Sequence, residues 1–269
     1  MKMQYSTAWL ACAGMALGVA VAVQAAPVSR LELAALYRTA VDRRLEVPAE
    51  EAQRYAQLAD DAFAQARVVP QGAQYVAVID RDPRVQALLL MWRAGEGAWQ
   101  LVGASPVSTG RPGTFDHFAT PTGVFDHTNE NPDFRAEGTF NSNGIRGYGE
   151  KGLRVFDLGW QRVAKGWGDR QVVDMRLQMH ATDPDLLEQR LGTAQSKGCV
   201  RIPATLNRLL DHYGILDAEY ERLVRDGHKL WVLREDREPA ADAGRYLVIV
   251  DTERTARPAW SPLPSPAKR

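Results

Sequence analysis

Residues 75–107 read YVAVIDRDPRVQALLLMWRAGEGAWQLVGASPV, and the three β-rich runs inside them, Tyr75 to Ile79, Val85 to Trp92 and Trp99 to Val107, decide the fold class. Asp80, Asp82, Pro83, Gly95 and Gly97 interrupt the runs as turn residues do, so the stretch predicts an antiparallel meander. Strand-like runs return at Leu153 to Leu158, Val172 to Met179, Lys229 to Leu233 and Tyr246 to Val250, while Pro203 to Tyr213 and Ala218 to Val224 read as helices. The class expected is α+β. The stretch from Thr109 to Gly149 is dense in Gly, Pro, Asn, Asp and Thr. So long an irregular segment within a folded domain is more often functional than idle.

Upstream of the meander the apolar period is helical. Ser29 and Glu32 form a capping box, and Leu33, Leu36, Tyr37, Ala40 and Val41 recur on one face. Leu45 to Val47 reads as a turn, Pro48 opens a second helix, and Ala52, Tyr55, Ala59, Ala62, Phe63 and Ala66 continue the pattern. An N-terminal antiparallel helical hairpin is predicted. At the other end, Pro258, Pro262, Pro264 and Pro266 predict an extended or disordered tail.

The 269 residues carry 33 Lys plus Arg against 33 Asp plus Glu, with 45 % hydrophobic and 8 % aromatic content. A balanced charge gives no electrostatic reason to expect nucleic acid or an anionic membrane as the main partner. The apolar fraction suffices for a sizeable core, and two cysteines cannot build a disulfide scaffold. Lys2, the apolar run Ala8 to Val23, and the small residues Val23 and Ala25 predict a signal peptide cleaved after Ala25, with a retained anchor as the alternative. Export to the periplasm or cell envelope is expected, with no stable membrane span after cleavage. Loss of Cys12 would leave Cys199 alone. A lone thiol there is an inert buried group, an intermolecular link or a nucleophile.

Its neighbours favour the nucleophile. Ser196-Lys197-Gly198-Cys199-Val200-Arg201 precedes Ile202 and Pro203, where a helix is predicted to begin, so the positive end of that helix and Lys197 would favour thiolate. Gly198 admits close backbone approach, and the amides of Gly198 and Cys199 are candidates for an oxyanion hole. His180, ending the run Val172 to Met179, is the natural base. Ser196 bonds the loop or the substrate, and Arg201 is a carboxylate clamp or an ordinary ion pair. Asn141, Asn143, Gly144, Arg146 and Tyr148 read as a lid or as a loop held by Asn turns. His117, His127, His212 and His228 lack metal-ligand spacing and read as surface or structural. Trp160, Trp167 and Met179 read as core or cleft wall.

His180, fifteen intervening residues, then Ser196 to Arg201 resembles the signature of the L,D-transpeptidase (YkuD-like) catalytic domain, in which a His precedes a Ser/Thr-His-Gly-Cys box. Val107-Ser108-Thr109-Gly110 and Thr120-Pro121-Thr122-Gly123-Val124-Phe125 are similar to two further landmarks of that family, in the same order. The resemblance spans roughly Gln74 to Leu233 and implies a β-rich domain of packed mixed sheets with short helices and a cleft. The organisation expected is a signal peptide over 1–25, the hairpin over 26–70, the catalytic domain over 71–236, a closing strand segment over 237–257 and the tail over 258–269.

The resemblance also implies chemistry on peptidoglycan stem peptides. Cys199 would attack the carbonyl between meso-diaminopimelate at stem position three and D-alanine at position four. His180 would take the thiol proton and return it to the leaving amine. The acyl group would pass to another stem in a 3→3 cross-link, to a D-amino acid or to an envelope protein, and a carbapenem would acylate the cysteine. Water as acceptor would make an L,D-carboxypeptidase, and a non-catalytic wall-binding module is a further alternative. No metal or organic cofactor is implied. Where the family box has His, this chain has Lys197, expected to bind an anionic group or support the thiolate.

Overall fold

The computed structural model describes residues 27–263; the predicted signal peptide lies outside them. Four helices and two mixed sheets are present among the described residues, an α+β architecture. The first sheet contains β1 (Gln74–Asp80), β2 (Ala87–Arg93), β3 (Gln100–Pro106), β4 (Gly123–Asp126) and β9 (Tyr246–Val250) in the order β3-β2-β1-β9-β4. Strands β1 to β3 form the expected antiparallel meander. The second sheet contains β5 (Phe134–Arg135), β6 (Arg154–Ala164), β7 (Val172–Ala181) and β8 (Val200–Ile202) in chain order, with β7 and β8 parallel. Its apolar face, Phe156, Leu177, Met179, Val200 and Ile202, meets Tyr75, Ala77, Ile79, Leu88 and Leu90 of the first sheet in one core. Helix α3 (Ala204–His212) adds Leu206, Leu209 and Leu210 to it, and α4 (Ala218–Arg225) buries Tyr220.

The N-terminal helices depart from the expected hairpin. Helix α1 (Arg30–Ala40) has its capping box, with Ser29 N–H donating to Glu32 at 2.9 Å. Leu33 and Tyr37 enter the core between the sheets, where the Tyr37 ring lies on Gly103 so closely that a Cβ there would come within 2.3 Å. Helix α2 (Ala49–Ala66) instead sends Tyr55, Ala59 and Phe63 to the opposite face of the first sheet, against Val76, Val78, Leu89 and Val248. The reason is β1, buried on both faces, whose period of two asks for cover on each. The connection passes round edge strand β3, where Leu45 N–H donates to the Ala104 carbonyl at 2.9 Å and blunts the open edge.

Three further expectations are corrected. Strand β9 does not stand apart as a separate closing segment: it lies inside the first sheet, parallel to β1 and antiparallel to β4. Its run YLVIV is apolar because both faces are covered. Residues 229–233 form turns, not a strand; the Val232 carbonyl accepts from the Arg135 guanidinium and Trp231 is exposed. The tail docks as far as it is described. Trp260 packs edge-on to Tyr55 at 5.9 Å, and Ser261 Oγ donates to the Arg84 carbonyl at 2.7 Å. Residues 264–269 lie outside the described part.

A buried ionic cluster anchors the irregular stretch. Arg154, fully buried on β6, donates to Asp133 and Asp217 at 2.6 Å each, and His127 Nε2 lies 2.9 Å from Asp133 while its ring stacks on Tyr220. Ions taken out of water tolerate loss of a partner poorly, so this cluster fixes the loop from β4 to β5 against α4. No helix among the described residues is long and apolar enough to cross a membrane.

Candidate active site

Strand β7 reads as clean alternation: Met175, Leu177 and Met179 enter the core, and Arg176, Gln178 and His180 stand on the other face. The parallel register pairs Met179 with Val200 and His180 with Arg201, which sets Cys199 beside Gln178. Cys199 is half-buried; its thiol donates to the Arg176 carbonyl at 3.8 Å, and the Gln178 N–H approaches the sulfur. The sheet therefore brings Cys199, His180 and Arg201 to one face of two neighbouring strands.

The protonation states follow from burial. His180 is 5 % exposed, and desolvation, assisted by the Arg201 charge, lowers its pKa to about 4 although the Ala181 carbonyl opposes the shift. That carbonyl lies 2.5 Å from Nδ1, so Nδ1 carries the proton and Nε2 is left with the lone pair a base needs. Burial also pushes the Cys199 thiol above its ordinary value, against the Gln178 amide and Arg201. At neutral pH the pair rests as thiol and neutral imidazole. The preformed thiolate expected from a helix terminus is not supported: β8 stands between Cys199 and α3, and the helix begins only at Ala204.

Three separated motifs interlock around the thiol. Thr120 Oγ1 accepts from Gly110 N–H at 2.8 Å and donates to the Gly198 carbonyl at 2.7 Å. Ser108 and Arg201 exchange backbone hydrogen bonds at 2.9 Å. Gly198 has φ +137°, and a Cβ there would lie 2.3 Å from Met175 Sδ; a Cβ on Gly110 would lie 3.0 Å from Gly198 Cα. Only two glycines let these backbones pass so closely. Ser196 Oγ donates to the Cys199 carbonyl at 2.6 Å and accepts from Gly198 N–H at 3.1 Å. Ser196 is thus a turn-former, and the Gly198 amide is committed to it instead of to an oxyanion.

Lys197 does not face the thiol as a free cation. Its Nζ is 2.5 Å from Asp116 on the exposed surface, and its carbonyl accepts from Phe118 N–H. The cation acting on both Cys199 and His180 is Arg201, which desolvation has made a weaker base; its Nε is buried with no hydrogen-bond partner, and it forms no ion pair among the described residues. An unpaired, desolvated guanidinium has donors left open to a carboxylate.

The stretch read as a lid or as a loop held by Asn turns has the Asn turn and is pinned. Asn141 Oδ1 accepts from Asn143 and Ile145 N–H, Arg146 N–H donates to buried Asp183 at 2.9 Å, and Tyr148 sets its ring edge-on to His180 at 4.7 Å. Tyr148 Oη donates to Gln178 Oε1 at 2.9 Å. Its far side lines a cavity of about 570 Å³ with Phe134, Phe140 and Trp231. Trp167 packs on Phe118, Trp160 is exposed and Met179 is core.

Sequence reasoning missed Asp157, Arg176 and Gln178. Asp157 is buried and accepts from Arg176 Nε at 2.9 Å and Gln178 Nε2 at 2.8 Å. The strict alternation of β7 held the signal for Arg176 and Gln178; reading Val172 to Met179 as a plain apolar run concealed it. No group of three or more His, Cys, Asp or Glu is placed to hold a metal among the described residues.

No protein-family model matches the chain, and no curated protein matches it.

Proposed function

We propose that this protein is a cysteine-dependent L,D-transpeptidase of the YkuD-like class, acting in the cell envelope on peptidoglycan stem peptides. The observation that carries the reading is the convergence at Thr120. Three motifs matched by their order in the chain become one hydrogen-bonded unit around Cys199, with a base of defined tautomer on the adjoining strand. Cys199 attacks the carbonyl of stem residue three as His180 Nε2 takes the thiol proton. Collapse of the adduct expels D-alanine, whose amine receives that proton, and leaves a thioester. An acceptor amine then displaces the sulfur, giving up its proton to His180 Nε2, which returns it to the departing Cys199 thiolate. Arg201 holds a substrate carboxylate, its desolvated guanidinium having no partner of its own among the described residues. Neutral thiol and neutral imidazole suit an acyl transfer in which the proton moves with the attack.

The test is mass spectrometry of muropeptides from sacculi incubated with the protein. A 3→3 dimer or an amine-exchanged stem supports the transpeptidase, and tripeptide alone makes the acceptor water. Unchanged tetrapeptides together with no carbapenem adduct on wild type, judged against Cys199→Ala, remove the enzyme assignment.

A further inference from the structure

Resting on the reading above, we infer that Arg176, clamped by Asp157 and stacked on Trp160, is a specificity-determining residue that binds the free side-chain carboxylate of the donor's third stem residue. Arg176 precedes Gln178 and His180 along the outer face of β7, and its own carbonyl accepts a hydrogen bond from the Cys199 thiol at 3.8 Å. The side chain is therefore rooted beside the sulfur. Asp157, 1 % exposed, accepts from Arg176 Nε at 2.9 Å and leaves the two Nη groups without hydrogen bonds among the described residues. The guanidinium lies over the Trp160 ring at 5.5 Å, and Trp160 is 62 % exposed, the register of β6 on β7 having paired it with Arg176.

An exposed indole on a sheet face, and a buried carboxylate that Arg176 shares with Gln178 Nε2 and the Gly159 N–H, together hold one guanidinium edge rigid and open toward solvent. That edge fits a planar carboxylate bidentately. Arg201 offers a second cation, half-buried and without an ion pair among the described residues, on the neighbouring strand. Arg201, the cation that acts on the thiol, and Arg176, whose backbone carbonyl meets that thiol, match a donor with two carboxylates, one on the departing D-alanine and one on the side chain of a diamino diacid. Lys197 instead pairs with Asp116 at the exposed surface.

The experiment compares two tetrapeptide donors, one with the side-chain carboxylate of residue three free and one with it amidated, as the ratio of their kcat/KM values for D-alanine release. A charge-assisted bidentate contact predicts a ratio of about ten or more for wild type. The ratio should fall toward one in Arg176→Gln, be partly restored in Arg176→Lys and drop in Trp160→Ala, which leaves the guanidinium and Asp157 in place. Equal kcat/KM for the two donors in wild type, or a ratio unmoved by Arg176→Gln, overturns the assignment of Arg176 alone. Consumption of neither donor by wild type overturns it together with the transpeptidase reading.

Discussion

Thr120 Oγ1 donates to the carbonyl of Gly198, the residue before the candidate nucleophile, at 2.7 Å, while accepting from Gly110 N–H at 2.8 Å. One buried hydroxyl thereby satisfies two backbone groups from different loops. Thr120→Val keeps the shape and removes both bonds. It should cost about 1–3 kcal/mol in urea-induced unfolding, and slow carbapenem acylation of Cys199 at temperatures where the variant is fully folded. Unaltered acylation would mean that the loop geometry does not depend on this bond.

On the proposed mechanism, His180 sets the acid limb of activity. With its pKa lowered to about 4, the imidazole remains an unprotonated base throughout the range in which an ordinary histidine titrates. The profile of kcat/KM against pH should therefore show no loss between pH 7 and about 5.5, where an unperturbed histidine base would already be protonated. A midpoint near 6.5 would contradict a base lowered by desolvation.

Stability should carry a second pH signature, from His127. Burial disfavours its charged form, yet Asp133 and then Asp217 hold its pKa above the ordinary histidine value. A folded pKa above the unfolded one stabilises fully below the unfolded value, about 6.5, and that contribution is lost as pH rises through the folded value. The stability difference between wild type and His127→Gln should be largest below pH 6 and shrink on the alkaline side, measured by urea unfolding at a series of pH values. A difference independent of pH would sink this account.

Docking of the tail makes a third element testable. Trp260 packs against Tyr55 and the second apolar cluster, so Trp260→Ala should destabilise by about 2–4 kcal/mol. Thermal unfolding measures it directly, and a loss below about 0.5 kcal/mol would show that the tail is only loosely held.

The capping box at Ser29 and the meander of Tyr75 to Val107 were readable from residue types and spacing, because caps, turns and period-two strands are local. His180 and Cys199 could each be named as candidate base and nucleophile from their flanking residues, but only the parallel register of β7 and β8 sets them on one face. What Arg176, Gln178 and Asp157 contribute was not readable, since their meeting depends on which strands are neighbours. The same holds for the two N-terminal helices: their amphipathic faces announce burial, but only β1, covered on both sides, sends them to opposite faces of one sheet. Local pattern likewise made Lys197 the obvious cation beside the thiol. Tertiary structure gave that lysine to Asp116 and brought Arg201 into register with His180, because a parallel strand pair fixes which side chains stand together and a desolvated charge acts where no water screens it.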